Sequence, residues 1–399
     1  MESQSQKDQG LMIDIQVMSI VGTRPEAIKM APVIQELART KGVTATVCAT
    51  GQHRQMLDPV LSLFNIKPDF DLDVMRPGQD LTDVTCGVLT GLRDVLKATR
   101  PNLLLVQGDT STAMTAALAA FYEKIPVGHV EAGLRTQNLY SPWPEEGNRR
   151  LISAIAELHF PPTELSRDAL LREGIDPANV FMTGNTVIDA LLQVIAGIDS
   201  DPDFVRSLLE RYPFLEGGPG KRHMILVTGH RRESFGGGFE SICQALNDLA
   251  RRDDVEIVYP VHLNPNVREP VFRLLGGLPN VHLLEPLDYR PFVYFMKRAR
   301  LILTDSGGIQ EEAPSLNTPV LVMRDVTERS EALGTGLIKL VGTDRAKIVS
   351  EAEKILDQGE AGATPARPNP YGDGQARGRI VSTILSRFGA PSAATAGRA

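Results

Sequence analysis

The stretch Asp305-Ser306-Gly307-Gly308-Ile309-Gln310-Glu311-Glu312 has the residue types of a phosphate cradle. A branched apolar run, Leu301 to Thr304, precedes it and reads as a buried strand; a helix reaching towards Leu316 is expected after it. A strand, a Ser-Gly-Gly turn and a helix start gather backbone N–H groups before the positive end of a helix dipole. Glycine lets a phosphate approach the backbone, because no Cβ stands in the way. Glu312 lies about one helical turn on, where its carboxylate can accept hydrogen bonds from a ribose diol. Taken alone, the same residues equally suit an ordinary strand-to-helix turn with glycine for geometry.

Other residues could act on what such a cradle holds. Arg24, Lys29, Arg231 and Arg329 are cations able to stabilise a departing diphosphate. Asp109, Glu131, Glu145 and Glu146 can move protons if their surroundings raise their pKa values. Ser141-Pro142-Trp143-Pro144-Glu145-Glu146 holds the only tryptophan, and its prolines stiffen the chain before Glu145. That stretch also reads as a helix N-terminus with acidic residues in its first turn. No GxGxxG follows an expected strand, and Gly220-Lys221 lacks the rest of a P-loop, so neither a dinucleotide fingerprint nor a Walker-type site is present. His53, His129 and His159 have no partner at metal-ligand spacing.

The elements that must position these groups alternate. Strands are expected at Ile13 to Val21, Val43 to Ala49, Leu103 to Val106 and Pro126 to Val130, with helices around Val84 to Leu96 and Ala113 to Tyr122. The rhythm restarts after Asn185, following a hinge or linker expected between Thr183 and Arg222 that contains Glu216-Gly217-Gly218-Pro219-Gly220. Strands at Met224 to Thr228, Val255 to Val261, Val281 to Leu284, Leu301 to Thr304 and Pro319 to Val322 follow, then helices at Asp344 to Leu356 and Ala376 to Phe388. This is an α/β chain of two Rossmann-like doubly wound domains, with a cleft expected between them. Arg24, Asp109, Glu131, His230, His262 and Ser306 all follow expected strands, where open parallel sheets bind ligands.

Composition narrows the classes. The 399 residues exceed one typical core. A hydrophobic share of 42% and a charged share of 23% are ordinary for a globular protein. A net charge of −7 argues against a broad nucleic-acid or acidic-membrane surface. Cys48, Cys86 and Cys243 form no CxxC pair, and no signal peptide or membrane-length apolar run is evident, so a cytoplasmic location is expected.

The motifs resemble the non-hydrolysing UDP-N-acetylglucosamine 2-epimerases of bacteria. The matching stretches are Gly22-Thr23-Arg24-Pro25-Glu26 with Lys29, Gln107-Gly108-Asp109-Thr110, His129 to Arg135, Pro142 to Glu146, Thr228 to Glu233, His262 to Asn266, Asp305 to Glu312 and Asn369 to Gly374. The resemblance covers Ile13 to Arg387 and implies a glycosyltransferase B-type fold. Its expected layout is a disordered extension at 1–12, an N-terminal domain at 13–184 plus 375–388, a UDP-binding domain at 185–374 and a mobile tail at 389–399. It also implies reversible C2 epimerisation of UDP-N-acetylglucosamine to UDP-N-acetylmannosamine by elimination and re-addition of UDP through 2-acetamidoglucal. No cofactor or metal is implied. A homodimer and a role in surface-polysaccharide precursor supply are.

By the same resemblance Asp109, Glu131, Glu145 and His230 are catalytic. Arg24 and Lys29 grip the nucleotide, Ser306, Gly307 and Gly308 bind phosphate, Glu312 the ribose, Arg329 the UDP side, and Phe292 lies near uracil or packs in the core. Gln52, Gln55, Glu145, Arg231 and His262 match an activator site for a second nucleotide sugar. Three positions depart from the pattern: Gly78 replaces an Arg of activated members, Ser330 a common Pro and Gln107 a frequent His. The alternatives are a hydrolysing 2-epimerase, a glycosyltransferase of the same fold and a silent UDP-sugar sensor.

Overall fold

The computed structural model describes residues 14–51, 54–216, 222–231, 235–358 and 368–389. The expected N-terminal extension, the glycine-rich turn at 217–220 and all of the expected tail beyond residue 389 lie outside the described residues. Two compact units form. One takes the chain up to Ala190 and again from Gly372; the other is Leu191–Tyr371.

In the first unit the elements run β1 (Ile15–Val21), α1 (Arg24–Arg39), β2 (Val43–Ala49), α2 (Arg54–Leu63), β3 (Phe70–Asp71), α3 (Leu81–Thr99), β4 (Leu103–Gln107), α4 (Ser111–Tyr122), β5 (Val127–Val130), α5 (Glu145–Ile155), β6 (Leu158–Phe160) and α6 (Glu164–Arg172). Then come α7 (Thr186–Asp199) and α8 (Pro202–Arg211). The second unit continues with β7 (His223–Thr228), α9 (Gly237–Leu249), β8 (Val255–Pro260), α10 (Pro265–Leu275), β9 (Val281–Leu284), α11 (Tyr289–Arg298) and β10 (Leu301–Thr304). It closes with α12 (Gly307–Glu312), β11 (Val320–Val322), α13 (Ser330–Leu333), β12 (Ile338–Leu340) and α14 (Arg345–Asp357); α15 (Ala376–Phe388) returns to the first unit and packs on α1.

Both sheets are wholly parallel. Their orders are β3-β2-β1-β4-β5-β6 and β12-β11-β10-β7-β8-β9, the same doubly wound order read from opposite edges. Central strands covered on both faces read as continuous apolar runs, as Leu103 to Val106 and Leu301 to Leu303 do, all fully buried. The order reverses between β1 and β4 in one unit and between β7 and β10 in the other. Helices leave the two strands on opposite faces there, so a crevice opens at their carboxyl ends. These two doubly wound units are the parts of the expected glycosyltransferase B-type fold.

One expectation is corrected. The segment between Thr183 and Arg222, read as hinge or linker, is mostly the two helices α7 and α8. Val187, Leu191, Val194 and Ile198 give α7 a buried stripe. Asp201 caps α8 by accepting from Phe204 N at 3.0 Å. Among the described residues no helix is long and apolar enough to cross a membrane.

Candidate active site

In the first unit the polar groups gather at the carboxyl ends of β1, β4 and β5. The turn after β1 is held by Glu26, which is fully buried and accepts from Gly22 N at 3.0 Å and Thr23 N at 2.7 Å. Its other oxygen accepts from the Thr110 hydroxyl in the turn after β4, so one carboxylate ties both sides of the crevice. Burial pushes the Glu26 carboxyl up, against these hydrogen bonds. Arg24 opens α1 half-buried and forms no ion pair among the described residues.

Asp109 follows β4 directly. Arg149 Nε donates to its Oδ2 at 2.8 Å, and Asn148 Nδ2 donates to its carbonyl at 2.8 Å. Gly108 before it has φ +70°, a conformation that a side chain would strain. Its carbonyl accepts from His129 Nε2 at 2.7 Å. His129 is fully buried, and burial drives its pKa down to about 3, so it is a neutral donor here.

Glu131 follows β5 with φ +62°, a sparsely populated backbone state for a residue with a side chain. Lys29 Nζ donates to both its oxygens, at 2.8 and 2.6 Å, and Gln107 Nε2 donates to Oε2. The Lys29 ammonium thus sits on Glu131. Glu145 opens α5, after two cis X–Pro bonds at Pro142 and Pro144. Its Oε2 is buried and has no hydrogen-bond partner among the described residues. An unpartnered buried carboxylate oxygen is costly to keep. Its neighbour Glu146 is instead saturated by Arg149, Arg150 and Thr136 N.

In the second unit the crevice lies between β7 and β10. The hydroxyls of Thr228 and Thr304 meet across it at 2.6 Å. Asp305 is buried, and its Oδ2 accepts from His230 N at 2.7 Å and Arg231 N at 2.8 Å. The His230 ring stacks on His262 with centroids 5.2 Å apart, and its Nδ1 is 3.6 Å from Asp305 Oδ1. Burial lowers the His230 pKa; the Asp305 carboxylate pulls the other way, and His262 and Arg231 add to the lowering.

Ser306 precedes α12, so the Ser-Gly-Gly turn does open a helix. Arg329 lies against Gly307: a Cβ there would be 2.8 Å from the guanidinium carbon. The Arg329 guanidinium donates to Glu311 Oε1 at 3.0 Å and to Glu328. Burial opposes ionisation of Glu328, yet Arg329, Arg324 and Arg231 outweigh it and hold its pKa at about 2. Glu312 is buried and accepts from the Tyr289 hydroxyl. Phe292 is half-buried one turn further along α11.

The sequence pattern of the family described as UDP-N-acetylglucosamine 2-epimerase matches residues 35–385. The chain belongs to this family. It is 57% identical to the Escherichia coli K12 UDP-N-acetylglucosamine 2-epimerase over 372 residues, 93% of this chain and 98% of the relative. The Neisseria meningitidis UDP-GlcNAc 2-epimerase, solved with UDP-GlcNAc, superposes with a TM-score of 0.87 at 49% identity, covering 93% of this chain and all of that one. An S. aureus protein, MnaA, solved with UDP, matches with a TM-score of 0.84 at 43% identity over 94% of this chain and 97% of that one.

Of the residues this family resemblance singles out, Arg24, Lys29, Asp109, Glu131 and Glu145 lie in the first unit. His230, Phe292, Ser306, Gly307, Gly308, Glu312 and Arg329 lie in the second. Of the activator set, Gln52 and the Gln55 side chain lie outside the described residues, whereas Arg231 and His262 flank His230. Gly78 has φ +79°, so an arginine on the same backbone would be strained. Ser330 takes the first position of α13, where proline also fits, and the preceding loop is tied by Thr327, whose hydroxyl donates to Gln310 at 2.7 Å.

Sequence reasoning assigned no role to Glu26, Asn148, Arg149 or Asp305. Glu26 had a usable signal, standing three residues after Thr23 in capping-box spacing. The partners of Asp109 had none, because nothing in the chain order says that α5 lies beside β4. Among the described residues no group of three or more His, Cys, Asp or Glu side chains could hold a metal ion.

Proposed function

We propose that the chain is a non-hydrolysing UDP-N-acetylglucosamine 2-epimerase. The C2 hydrogen of the sugar adjoins an amide nitrogen, not a carbonyl, so simple deprotonation would leave an unsupported carbanion. Elimination avoids this. A carboxylate takes the C2 proton, the C–H electron pair becomes the C1–C2 double bond, and UDP leaves with the C1–O pair. UDP then adds back to C1 of 2-acetamidoglucal while a proton reaches C2 from the opposite face. Atoms and electrons balance without an external oxidant or reductant.

The observation that carries this reading is the division of groups between the two crevices. Asp109, Glu131 and Glu145 supply carboxylates at one, with Glu145 Oε2 left unpartnered. The Ser306-Gly307-Gly308 turn, with Arg329 beside it, supplies the other with donors for a diphosphate. Relatives solved with UDP-GlcNAc and with UDP support the same ligands here. In this reading Glu312 takes the ribose, Arg24 assists the diphosphate and Lys29 holds Glu131 in place. In the same reading His230 is a hydrogen-bonding partner near the reacting sugar.

Proton NMR of UDP-N-acetylglucosamine with the protein in D2O tests it. The expected product is the manno nucleotide with deuterium at C2. Free N-acetylmannosamine would mean the hydrolysing reaction, and an unchanged spectrum a transferase or a sensor. Asp109→Asn is expected to abolish C2 exchange while UDP still binds; full exchange in that variant would refute the role of Asp109.

A further inference from the structure

Asp109 and Glu145 come from different parts of the chain, yet one helix face fixes both. Residues 145, 148 and 149 of α5 stand at i, i+3 and i+4, so their side chains share a side. Glu145 is the first of them. Asn148 grips the Asp109 carbonyl and Arg149 the Asp109 carboxylate, each at 2.8 Å. The guanidinium is only 5% exposed and is held from behind by Glu146, itself fully buried, at 2.8 Å. Glu146 in turn is fixed by Arg150 at 3.2 Å and by Thr136 N at 3.0 Å. A buried planar guanidinium that gives Nε to one carboxylate and Nη1 to another has few geometries that satisfy both, so it acts as a rigid spacer.

We propose that Arg149, with Asn148, is a positioning residue for the epimerisation: it locks Asp109 to the helix that presents Glu145, so that the two carboxylates keep one separation through the reaction. The inference rests on the elimination–addition reading above. Elimination removes a proton from one face of C2, and re-addition must deliver one to the other. Two carboxylates serving opposite faces must not drift while the neutral glucal is held. Arg149 touches no reacting atom; it acts through Asp109.

Arg149→Lys keeps the charge but cannot span both carboxylates, and Arg149→Ala removes the spacer. A misplacement of about 1 Å costs about 100-fold in rate. We expect that loss in kcat for Arg149→Lys, with KM and UDP affinity within about threefold of wild type, because the diphosphate donors lie on α12 and not α5. Poor delivery of the second proton also raises the share of turnovers that end as free UDP plus 2-acetamidoglucal, read by proton NMR. Added guanidinium restores part of the activity of Arg149→Ala and none to Asp109→Asn. Should Arg149→Ala fail to fold, Asn148→Ser reads the same partition more mildly.

An Arg149→Lys enzyme with wild-type kcat overturns the proposal. So does a kcat loss with an unchanged glucal share and no guanidinium rescue, which is the pattern of simple destabilisation. The underlying reading fails separately: wild-type protein that incorporates no deuterium at C2 sinks it before any variant is made.

Discussion

Gly307 and Gly308 are adjacent, but a methyl group meets different surroundings at each. At Gly307 it would lie 2.8 Å from the Arg329 guanidinium carbon and 3.0 Å from Nη1. That guanidinium cannot step aside freely, because Glu311 holds it at 3.0 Å and Glu328 holds its other end. At Gly308 the nearest atom is Ser306 Oγ at 3.9 Å, so the free protein has room. Gly307→Ala is therefore expected to cost about 1–3 kcal/mol of stability as an overpacked site, with weaker UDP binding besides. Gly308→Ala is expected to leave the melting temperature unchanged while UDP binding weakens by about 1.4 kcal/mol, a factor of ten, because in the proposed reading phosphate approaches where the new methyl would stand. Calorimetric UDP titration alongside thermal melts separates the two. Equal losses of stability would show that Arg329 does not press on Gly307 as described, and undiminished UDP affinity in Gly308→Ala would take the turn out of the phosphate site.

At the scale of elements, β5 and β6 bring His129 and His159 into register as direct neighbours. Both are buried, and each has an Nδ1 with no hydrogen-bond partner among the described residues. Burial drives their pKa values down, to about 3 for His129 and about 4 for His159. The unfolded chain protonates such residues near pH 6.5, whereas the folded one does not until far lower pH. The unfolded state therefore gains protons first as pH falls, and stability drops from about pH 6.5 downward. By pH 5 each histidine costs about 2 kcal/mol. His159→Gln is expected to flatten the decline between pH 7 and pH 5 by roughly half, seen in denaturant midpoints across that range. An unchanged slope would mean that His159 titrates normally in the fold. These same strands show how far the sequence reaches. β5 was readable as Pro126 to Val130 because a four-residue buried run stands out. β6, three residues long, was not, and neither were β3 and β12, because edge strands so short leave no periodicity to detect. The helix α7 was hidden for another reason: the glycine cluster after Glu216 drew the whole region into a linker, although the 187, 191, 194, 198 spacing is helical.

Across the whole molecule, the two sheets share one strand order, with Arg24 and Asp109 following the strands at the reversal point of one and His230 and Ser306 those of the other. The strand ends were legible, since they could be read from Gly22-Thr23-Arg24, Gly108-Asp109, Gly229-His230 and Asp305-Ser306; the strand order was not, because pairing across a sheet leaves no mark on chain order. The side-chain partners were not, because Arg149 on Asp109 and Lys29 on Glu131 join segments 40 and 102 residues apart. The shared architecture predicts an ordered pattern of ligand protection. UDP lacks the sugar, so it should slow amide exchange at residues 228–231 and 305–308, where backbone N–H groups border the β7–β10 crevice. UDP-N-acetylglucosamine, offered to the Asp109→Asn variant so that it is not turned over, should do this and also protect residues 107–111 and 131. Local opening of these turns costs less than global unfolding, so ligand contacts register there first. Hydrogen exchange followed by mass spectrometry resolves the two peptide sets. If UDP alone protects residues 107–111 as strongly as the nucleotide sugar does, the first unit binds the nucleotide and not the sugar, and the division of labour between the two crevices is wrong.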